Sequence, residues 1–551
     1  MPSSSTTEFQ GLSDAYLKAY HAAHPTAASS LGFHEFDGQL PDIRPEAIAD
    51  RVATLRRLEQ QISAIDPADL DDDQAMDYAV LNLAAQEEIF EWEELRDWQR
   101  NPMFYSYYCD VTGYLKRDYA PLGERLRALS EHLSALPDFL EIGWANLKHP
   151  IPAMFVSTAI EMFEGHVHFL EGELLEEVAR TAHPDQIAGI EDSSRLAGAA
   201  IKRVLQQLRT ESQPGATEGF AIGADRFRKM LRLGEMVDVS LDHLLRLGQE
   251  DLARNEADFA TVARQIDPEK SPREVIQAMT DNHPTEQSLI ADARATLDDL
   301  VRFIREHSLV SIPSDTLCVV RKTPPFLRWA FAMLDSPGAF EQRTLEAFYY
   351  VTPVEETWSS IQKEEWLRKF DYYTLQDVSI HEAYPGHYVH YLHYRQTPSA
   401  VRRTFGAYSF WEGWAHYVEQ MMLDQGFEDS EPRLRLAQLS EALVRNCRFL
   451  AAIQLHTGDM TVEEATRLFV EHAYMDDLPA RKEAERGTFD PGYLNYTLGK
   501  LMLLKLRADY EQERVNAFSL GAFHDQFLSF GAPPIPLVRQ RMLRDGTDAP
   551  L

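Results

Sequence analysis

Apolar residues recur every three or four positions along most of this 551-residue chain, and this spacing favours helices over strands. Five leucines between residues 122 and 136 follow one another at steps of four, three, four and three, which predicts a helix ending near Pro137. A similar stripe from Leu436 to Leu450 includes Cys447, which we interpret as a buried apolar side chain. The pattern predicts a large, mostly helical protein.

The helical pattern breaks between about residues 309 and 354. Residues 317–321 (LCVVR) and 345–351 (LEAFYYV) are rich in β-branched and aromatic side chains and lie among several prolines. We therefore predict a small β element near residues 317–351. It would separate a helical domain over residues 1–310, forming one wall of a cleft, from a catalytic helical domain over residues 311–551.

Net charge restricts the partners of this chain. The sequence has 54 Lys and Arg residues against 87 Asp and Glu residues, a formal net charge of −33. Such a surface repels the phosphates of nucleic acids and anionic membranes, so neither is an expected partner. The sequence has no apolar run of membrane-spanning length and no signal-like start, and its three cysteines cannot form a disulfide framework. These features predict a cytoplasmic protein.

Histidines are concentrated in one short stretch. Five of the 19 histidines lie between residues 381 and 416, and the stretch opens with His381-Glu382-Ala383-Tyr384-Pro385-Gly386-His387. On a regular helix, residues six apart point about 120° away from each other and cannot share a metal. Because Pro385 and Gly386 interrupt a regular helix, they can bulge the two extra residues outward and return His387 to the side of His381. We interpret the two histidines as metal ligands and Glu382 as a general base; a kinked core helix with incidental histidines is the alternative.

A third ligand is expected on the segment from Phe410 to Gln420 (FWEGWAHYVEQ). Glu412, His416 and Glu419 lie at positions i, i+4 and i+7 and share one face of a helix. Aromatic residues surround this face, and burying two carboxylates there is costly unless a cation compensates them. Zn²⁺ is such a cation; a solvated charged face is the alternative, and the surrounding aromatic residues argue against it.

These segments resemble known proteins. EGWAHYVE resembles the second zinc-binding segment of the one-zinc aminopeptidases of the gluzincin clan. HEAYPGHYVH followed by EGWAHYVEQ more closely resembles the bacterial family called domain of unknown function 885, regarded as zinc metallopeptidases. Residues 223–231 (GADRFRKML), 490–499 (DPGYLNYTLG) and 523–531 (FHDQFLSFG) also fit that family.

The resemblance implies a metallopeptidase-like fold and one zinc ion bound by His381, His387 and Glu412, with Glu382 as the base. It also implies Tyr496 as the residue that stabilises the oxyanion, because a tyrosine after the ligands commonly has this role in related peptidases; a tyrosine of the core or of the cleft wall is the alternative.

Three further residues near these ligands need an interpretation. We predict that Glu419 orients a ligand rather than binding the metal. Two residues depart from the family pattern. His416 replaces an aliphatic residue and is an alternative ligand, and Tyr493 replaces a glutamine beside Tyr496.

A zinc-dependent hydrolase that cleaves short peptides or small amides is the function these residues predict. Glu382 would take a proton from the water that attacks a carbonyl group polarised by the metal. The alternative is a non-catalytic helical protein with a structural or binding metal site. The unligated carboxylate of Glu382 favours the enzyme, because a structural zinc site does not need it.

Overall fold

The computed structural model describes residues 4–181, 183–211, 219–314, 316–324, 327–328, 331–343, 345–458, 460–544, 546 and 549–551. Helices dominate these residues, and one small three-stranded sheet accompanies them. The prediction of a mostly helical protein with a small β element is confirmed. None of the helices within these described ranges is both long enough and apolar enough to cross a membrane.

The chain forms two compact units. Unit 1 consists of Met1–Ala221 and Pro337–Leu345, and unit 2 consists of Ile222–Ser336 and Glu346–Leu551. The main boundary between the units therefore lies at residue 221, whereas the domain boundary predicted from the sequence lies at residue 310.

Helices make up most of the described residues in the main segment of unit 1. Its helices are α1 (Ser4–Ala23), α2 (Pro25–Leu31), α3 (Pro45–Ser63), α4 (Asp72–Phe90), α5 (Asp97–Arg100), α6 (Met103–Ser106), α7 (Gly113–Lys116), α8 (Leu122–Asn146), α9 (Ala153–Glu171), α10 (Glu173–Thr181) and α11 (Pro184–Glu211). The helix predicted to end near Pro137 continues to the end of α8. Phe139, Leu140 and Gly143 extend its buried stripe, and we attribute the continuation to their burial.

A short segment distant in sequence also belongs to unit 1. The backbone N–H of Phe340 donates to the carbonyl of Leu31 (2.9 Å), and the His34 Nε2 atom lies 2.8 Å from the Glu341 carboxylate. Gly338 lies so close to Leu31 that a Cβ atom would approach its carbonyl carbon to 2.3 Å. These contacts place residues 337–345 in unit 1.

Unit 2 contains the remaining helices and the sheet. Its helices are α12 (Ala224–Gly234), α13 (Leu241–Ile266), α14 (Pro272–Met279), α15 (Leu289–His307), α16 (Ser360–Arg368), α17 (Tyr372–Glu382), α18 (His387–Tyr394), α19 (Tyr408–Asp424), α20 (Pro432–Thr457), α21 (Val462–His472), α22 (Asp477–Phe489), α23 (Asn495–Arg514), α24 (Leu520–Ser529) and α25 (Ile535–Met542). Helix α13 packs along α20, where the Asn255 amide donates to the Asn446 side-chain oxygen (2.7 Å). This pairing explains why α13 belongs to the same unit as residues far beyond position 310.

Two glycines allow α19 and α23 to approach closely. A Cβ atom on Gly413 would lie 2.5 Å from the Gly499 Cα atom, and one on Gly499 would lie 2.0 Å from the Ser409 carbonyl oxygen. Neither position therefore has room for a side chain. The close contact brings the first turn of α23, which carries Tyr496, beside α19, which carries Glu412.

The sheet consists of β1 (Val319–Lys322), β2 (Ala332–Asp335) and β3 (Phe348–Val351) in the order β1-β3-β2. Strand β3 pairs with β1 in parallel, with Val319 opposite Phe348, and with β2 in antiparallel, with Leu334 opposite Tyr349. Strands β1 and β3 correspond to the two segments predicted from the sequence, and β2 was not predicted.

Candidate metal centre

The first two predicted ligands lie on separate short helices. Helix α17 begins after Asp371, whose side chain accepts hydrogen bonds from two backbone N–H groups of its first turn, and it ends at Glu382. Helix α18 begins at His387. The intervening residues 383–386 break the helix completely instead of bulging from a continuous one. The break brings the imidazole centroids of His381 and His387 to 4.8 Å from each other.

Close backbone packing explains the glycine in this connection. Gly386 has an ordinary negative φ of −68°, but a Cβ atom there would lie 1.8 Å from the His381 carbonyl oxygen. The Trp414 indole N–H donates to the Pro385 carbonyl oxygen (3.0 Å), so α19 holds the connection from the other side. Trp414 is fully buried, and the sequence analysis did not recognise this role.

Helix α19 supplies the third predicted ligand. One Glu412 carboxylate oxygen lies 3.5 Å from His381 Nε2 and 3.4 Å from His387 Nε2. Ligand atoms of these three residues all lie within 4.8 Å of one another, and no other such group of His, Cys, Asp or Glu occurs among the described residues. These three residues are the zinc ligands predicted from the sequence.

The electrostatic environment of Glu412 suits a cation. Burial disfavours its charged form, but the nearby imidazoles of His387 and His381 hold its pKa well below the usual range. The carboxylate oxygen that faces the histidines is buried and accepts no hydrogen bond from the described residues. A buried carboxylate oxygen normally has a partner, and a metal ion at this position would be one.

Glu419 contacts His381 and lies outside the three-residue cluster. Its carboxylate lies 2.6 Å from His381 Nδ1, 2.9 Å from His416 Nδ1 and 3.0 Å from an Arg445 guanidinium nitrogen. Burial opposes its charge, but Arg445 and His416 keep its pKa well below the usual value. Glu419 therefore contacts His381, and its orienting role stays a prediction. His416 is fully buried against Glu419 and lies outside the three-residue cluster.

Glu382 lies next to the sheet. Its carboxylate accepts a hydrogen bond from the backbone N–H of Leu334 in β2 (2.9 Å). The side chain is partly exposed, whereas the neighbouring His381 is buried. No feature of the sequence predicted this contact, because β2 itself was not predicted.

Tyr496 lies at the edge of the cluster. Its ring is inclined by 21° to that of His381, with a centroid separation of 6.4 Å. The guanidinium carbons of Arg445 and Arg448 lie 5.7 Å and 5.2 Å from its centroid. Tyr493, in contrast, is fully buried, and its hydroxyl has no hydrogen-bond partner among the described residues.

Comparisons with known proteins identify relatives along nearly the whole chain. A family model described as "Bacterial protein of unknown function (DUF885)" matches residues 25–542. A solved structure of a candidate lipoprotein of unknown function from Shewanella oneidensis is 24% identical in sequence. It covers 97% of this chain and 100% of its own, with a TM-score of 0.82. A candidate lipoprotein from Colwellia psychrerythraea is 16% identical, covers 97% of this chain and 98% of its own, and has a TM-score of 0.80. No curated protein matches the chain.

Proposed function

The chain belongs to the DUF885 family of bacterial proteins, and we propose that it is a zinc-dependent hydrolase that cleaves short peptides. One observation carries the proposal: His381, His387 and Glu412 converge, and the unligated carboxylate of Glu382 follows the first histidine directly in sequence. A peptidase site needs both a metal and a base, whereas a structural site needs only the metal.

The three converging side chains suit zinc. Two imidazoles and one carboxylate are a ligand set of catalytic zinc sites, in which the metal polarises carbonyl groups and lowers the pKa of a water molecule to about 7. The contact between His381 Nδ1 and the Glu419 carboxylate leaves Nε2 to face the cluster. The buried Glu412 oxygen without a hydrogen bond also supports a cation here.

Glu382 is the proposed general base. It would accept a proton from the attacking water and then deliver that proton to the leaving amine. The Leu334 N–H stabilises the carboxylate and restricts its orientation. Tyr496 is the proposed hydrogen-bond donor to the oxyanion that forms when water attacks the carbonyl.

The position of β2 at the end of the three-stranded sheet supports a peptide as the substrate. The Thr352 N–H donates to the Phe331 carbonyl (3.1 Å), and the alternation of an antiparallel ladder then directs the N–H and C=O groups of Ala332 and Leu334 away from β3. The bond from Leu334 to Glu382 fits this pattern. An extended peptide that paired with the Ala332 groups and the Leu334 carbonyl would lie beside the proposed base.

Metal analysis and a peptide-cleavage assay test the proposal. We expect the purified protein to contain about one zinc per chain and to hydrolyse members of a mixed library of short peptides. Glu382→Gln should retain zinc and lose activity by a factor of about 10² to 10⁴, the usual contribution of a general base. Glu471→Gln, an exposed carboxylate on α21, is the control and should cleave normally.

Two outcomes would contradict the proposal in different ways. If the wild-type protein binds no zinc, the proposed metal site is wrong. A protein that binds zinc but cleaves equally with and without the Glu382 carboxylate has a metal site without the proposed base, as expected for the non-catalytic alternative.

A further inference from the structure

A group of buried charges lies behind the candidate metal centre. Glu419 on α19 is fully buried, and Arg445 on α20 is 7% exposed. A buried carboxylate is costly unless a cation with good geometry accompanies it, and the buried partners present here are Arg445 and the two histidines. Arg445 therefore stabilises the charged form of Glu419.

Arg445 contacts two parts of the proposed site at once. One guanidinium nitrogen lies 3.0 Å from Glu419 and 3.4 Å from His381 Nδ1, and the other terminal nitrogen donates to Glu441 (3.0 Å). The same guanidinium lies 5.7 Å from the ring centroid of Tyr496, within the range of a cation–π contact.

Neighbouring Arg448 provides a natural comparison. Its guanidinium also lies beside the Tyr496 ring, at 5.2 Å, but it forms a two-bond pair with Glu483 (2.7 and 2.8 Å). Within the described part of the chain, Arg448 forms no hydrogen bond or ion pair with Glu419 or His381. The two arginines therefore share the contact with tyrosine and differ in the contact with the metal ligand.

We infer that Arg445 is a positioning residue with two effects. It fixes the metal ligand His381 through Glu419, and it fixes the orientation of Tyr496 by contact with the tyrosine ring. The metal part requires only that the cluster bind zinc, and the tyrosine part rests on the proposed hydrolase function. A carboxylate that accepts a hydrogen bond from Nδ1 fixes both the tautomer and the orientation of a metal-binding imidazole. The planar guanidinium in turn holds that carboxylate and the aromatic ring in a fixed geometry, which a lysine ammonium cannot reproduce.

Matched lysine substitutions test the inference, because both retain the positive charge. We expect Arg445→Lys to bind zinc about 10- to 100-fold more weakly in a chelator competition, the usual effect of losing support behind a ligand. Arg448→Lys should bind zinc like the wild type. With saturating zinc, both variants should show a lower kcat and little change in KM, since both lose the contact with the Tyr496 ring.

A second pair of variants covers the case in which Arg445→Lys fails to fold. Glu441→Gln weakens the support of Arg445 at a partly exposed position, and Glu483→Gln does the same for Arg448. We expect at least threefold weaker zinc binding for Glu441→Gln than for Glu483→Gln. Circular dichroism confirms that each variant is folded.

Contrary results separate the inference from the proposed function. Wild-type zinc affinity in folded Arg445→Lys, or equal affinities in the second pair, would overturn the metal part. An unchanged kcat in zinc-saturated Arg445→Lys would overturn the tyrosine part. Absence of zinc from the wild-type protein would instead remove the proposed function itself.

Discussion

The proposed role of Tyr496 depends on one group, the hydroxyl that would donate a hydrogen bond to the oxyanion. Replacement by phenylalanine keeps the ring and its contacts with His381 and the two arginines but removes the hydroxyl. We expect Tyr496→Phe to lower kcat by about 10²- to 10³-fold, as the loss of one oxyanion donor does, with KM and zinc content nearly unchanged. Steady-state kinetics on a cleaved library peptide measure the effect.

Tyr493 provides the matched control for this substitution. It lies three residues earlier, and its buried hydroxyl has no partner among the described residues. Tyr493→Phe removes the same atom from the core, so we expect wild-type kcat. Equal kcat values for the Tyr496→Phe variant and the wild type would assign oxyanion stabilisation to another group.

At the residue scale, local spacing identified the residues that converge, but not those that support them. His381, Glu382 and His387 lie within seven positions, and Glu412 follows on a helix whose polar face is visible in the sequence. Arg445 could not be found in this way, because its role depends on a contact with Glu419 between two different helices. An arginine forms ion pairs in most settings, so its residue type carries no signal of position.

The break between α17 and α18 gives a prediction at the scale of elements. A methyl group at Gly386 would collide with the His381 carbonyl, which is backbone and cannot move without shifting the ligand. We expect Gly386→Ala to weaken zinc binding at least tenfold and to lower the free energy of unfolding by about 1–3 kcal/mol, as overpacking usually does. Chelator competition and urea denaturation measure the two effects.

Gly165 on α9 is the control for this glycine substitution. Its position has no atoms within 4 Å of an added Cβ, and alanine favours a helix interior by about 0.5–1 kcal/mol over glycine. Gly165→Ala should therefore be neutral or stabilising and should leave zinc binding intact. If Gly386→Ala behaved in the same way, the close backbone approach would not be what holds the two histidines together.

Strands were predictable to different degrees for a physical reason. Strands β1 and β3 carry β-branched and aromatic residues, which favour a pleated surface, and β3 is buried along its whole length. Strand β2 has the sequence Ala-Met-Leu-Asp and only intermediate burial, so neither composition nor alternation distinguishes it. Pairing with β3 creates this strand, and such pairing is a tertiary effect.

The two compact units illustrate the limit of sequence reasoning at the scale of the whole molecule. The prediction divided the chain at its β-rich segment, where local composition changes most. The units instead follow long-range packing, as between Asn255 and Asn446, which lie 191 positions apart. Nothing local marks such a partnership. The roles of residues 1–310 as a wall of the cleft and of the cytoplasm as the location remain predictions.

The net charge of −33 gives a prediction about substrates that belongs to the whole molecule. A negative field attracts cationic peptides and repels acidic ones, and salt screens it over about 10 Å at 0.1 M. For two peptides that differ by one lysine or glutamate away from the cleaved bond, we expect a severalfold higher kcat/KM for the lysine peptide at low salt. The ratio should approach one as the salt concentration rises, because salt screens the long-range field. A ratio that persisted at high salt would indicate a local contact with the lysine instead. Equal rates at low salt would show that the charges around the site, including Arg445 and Arg448, outweigh the field of the whole protein.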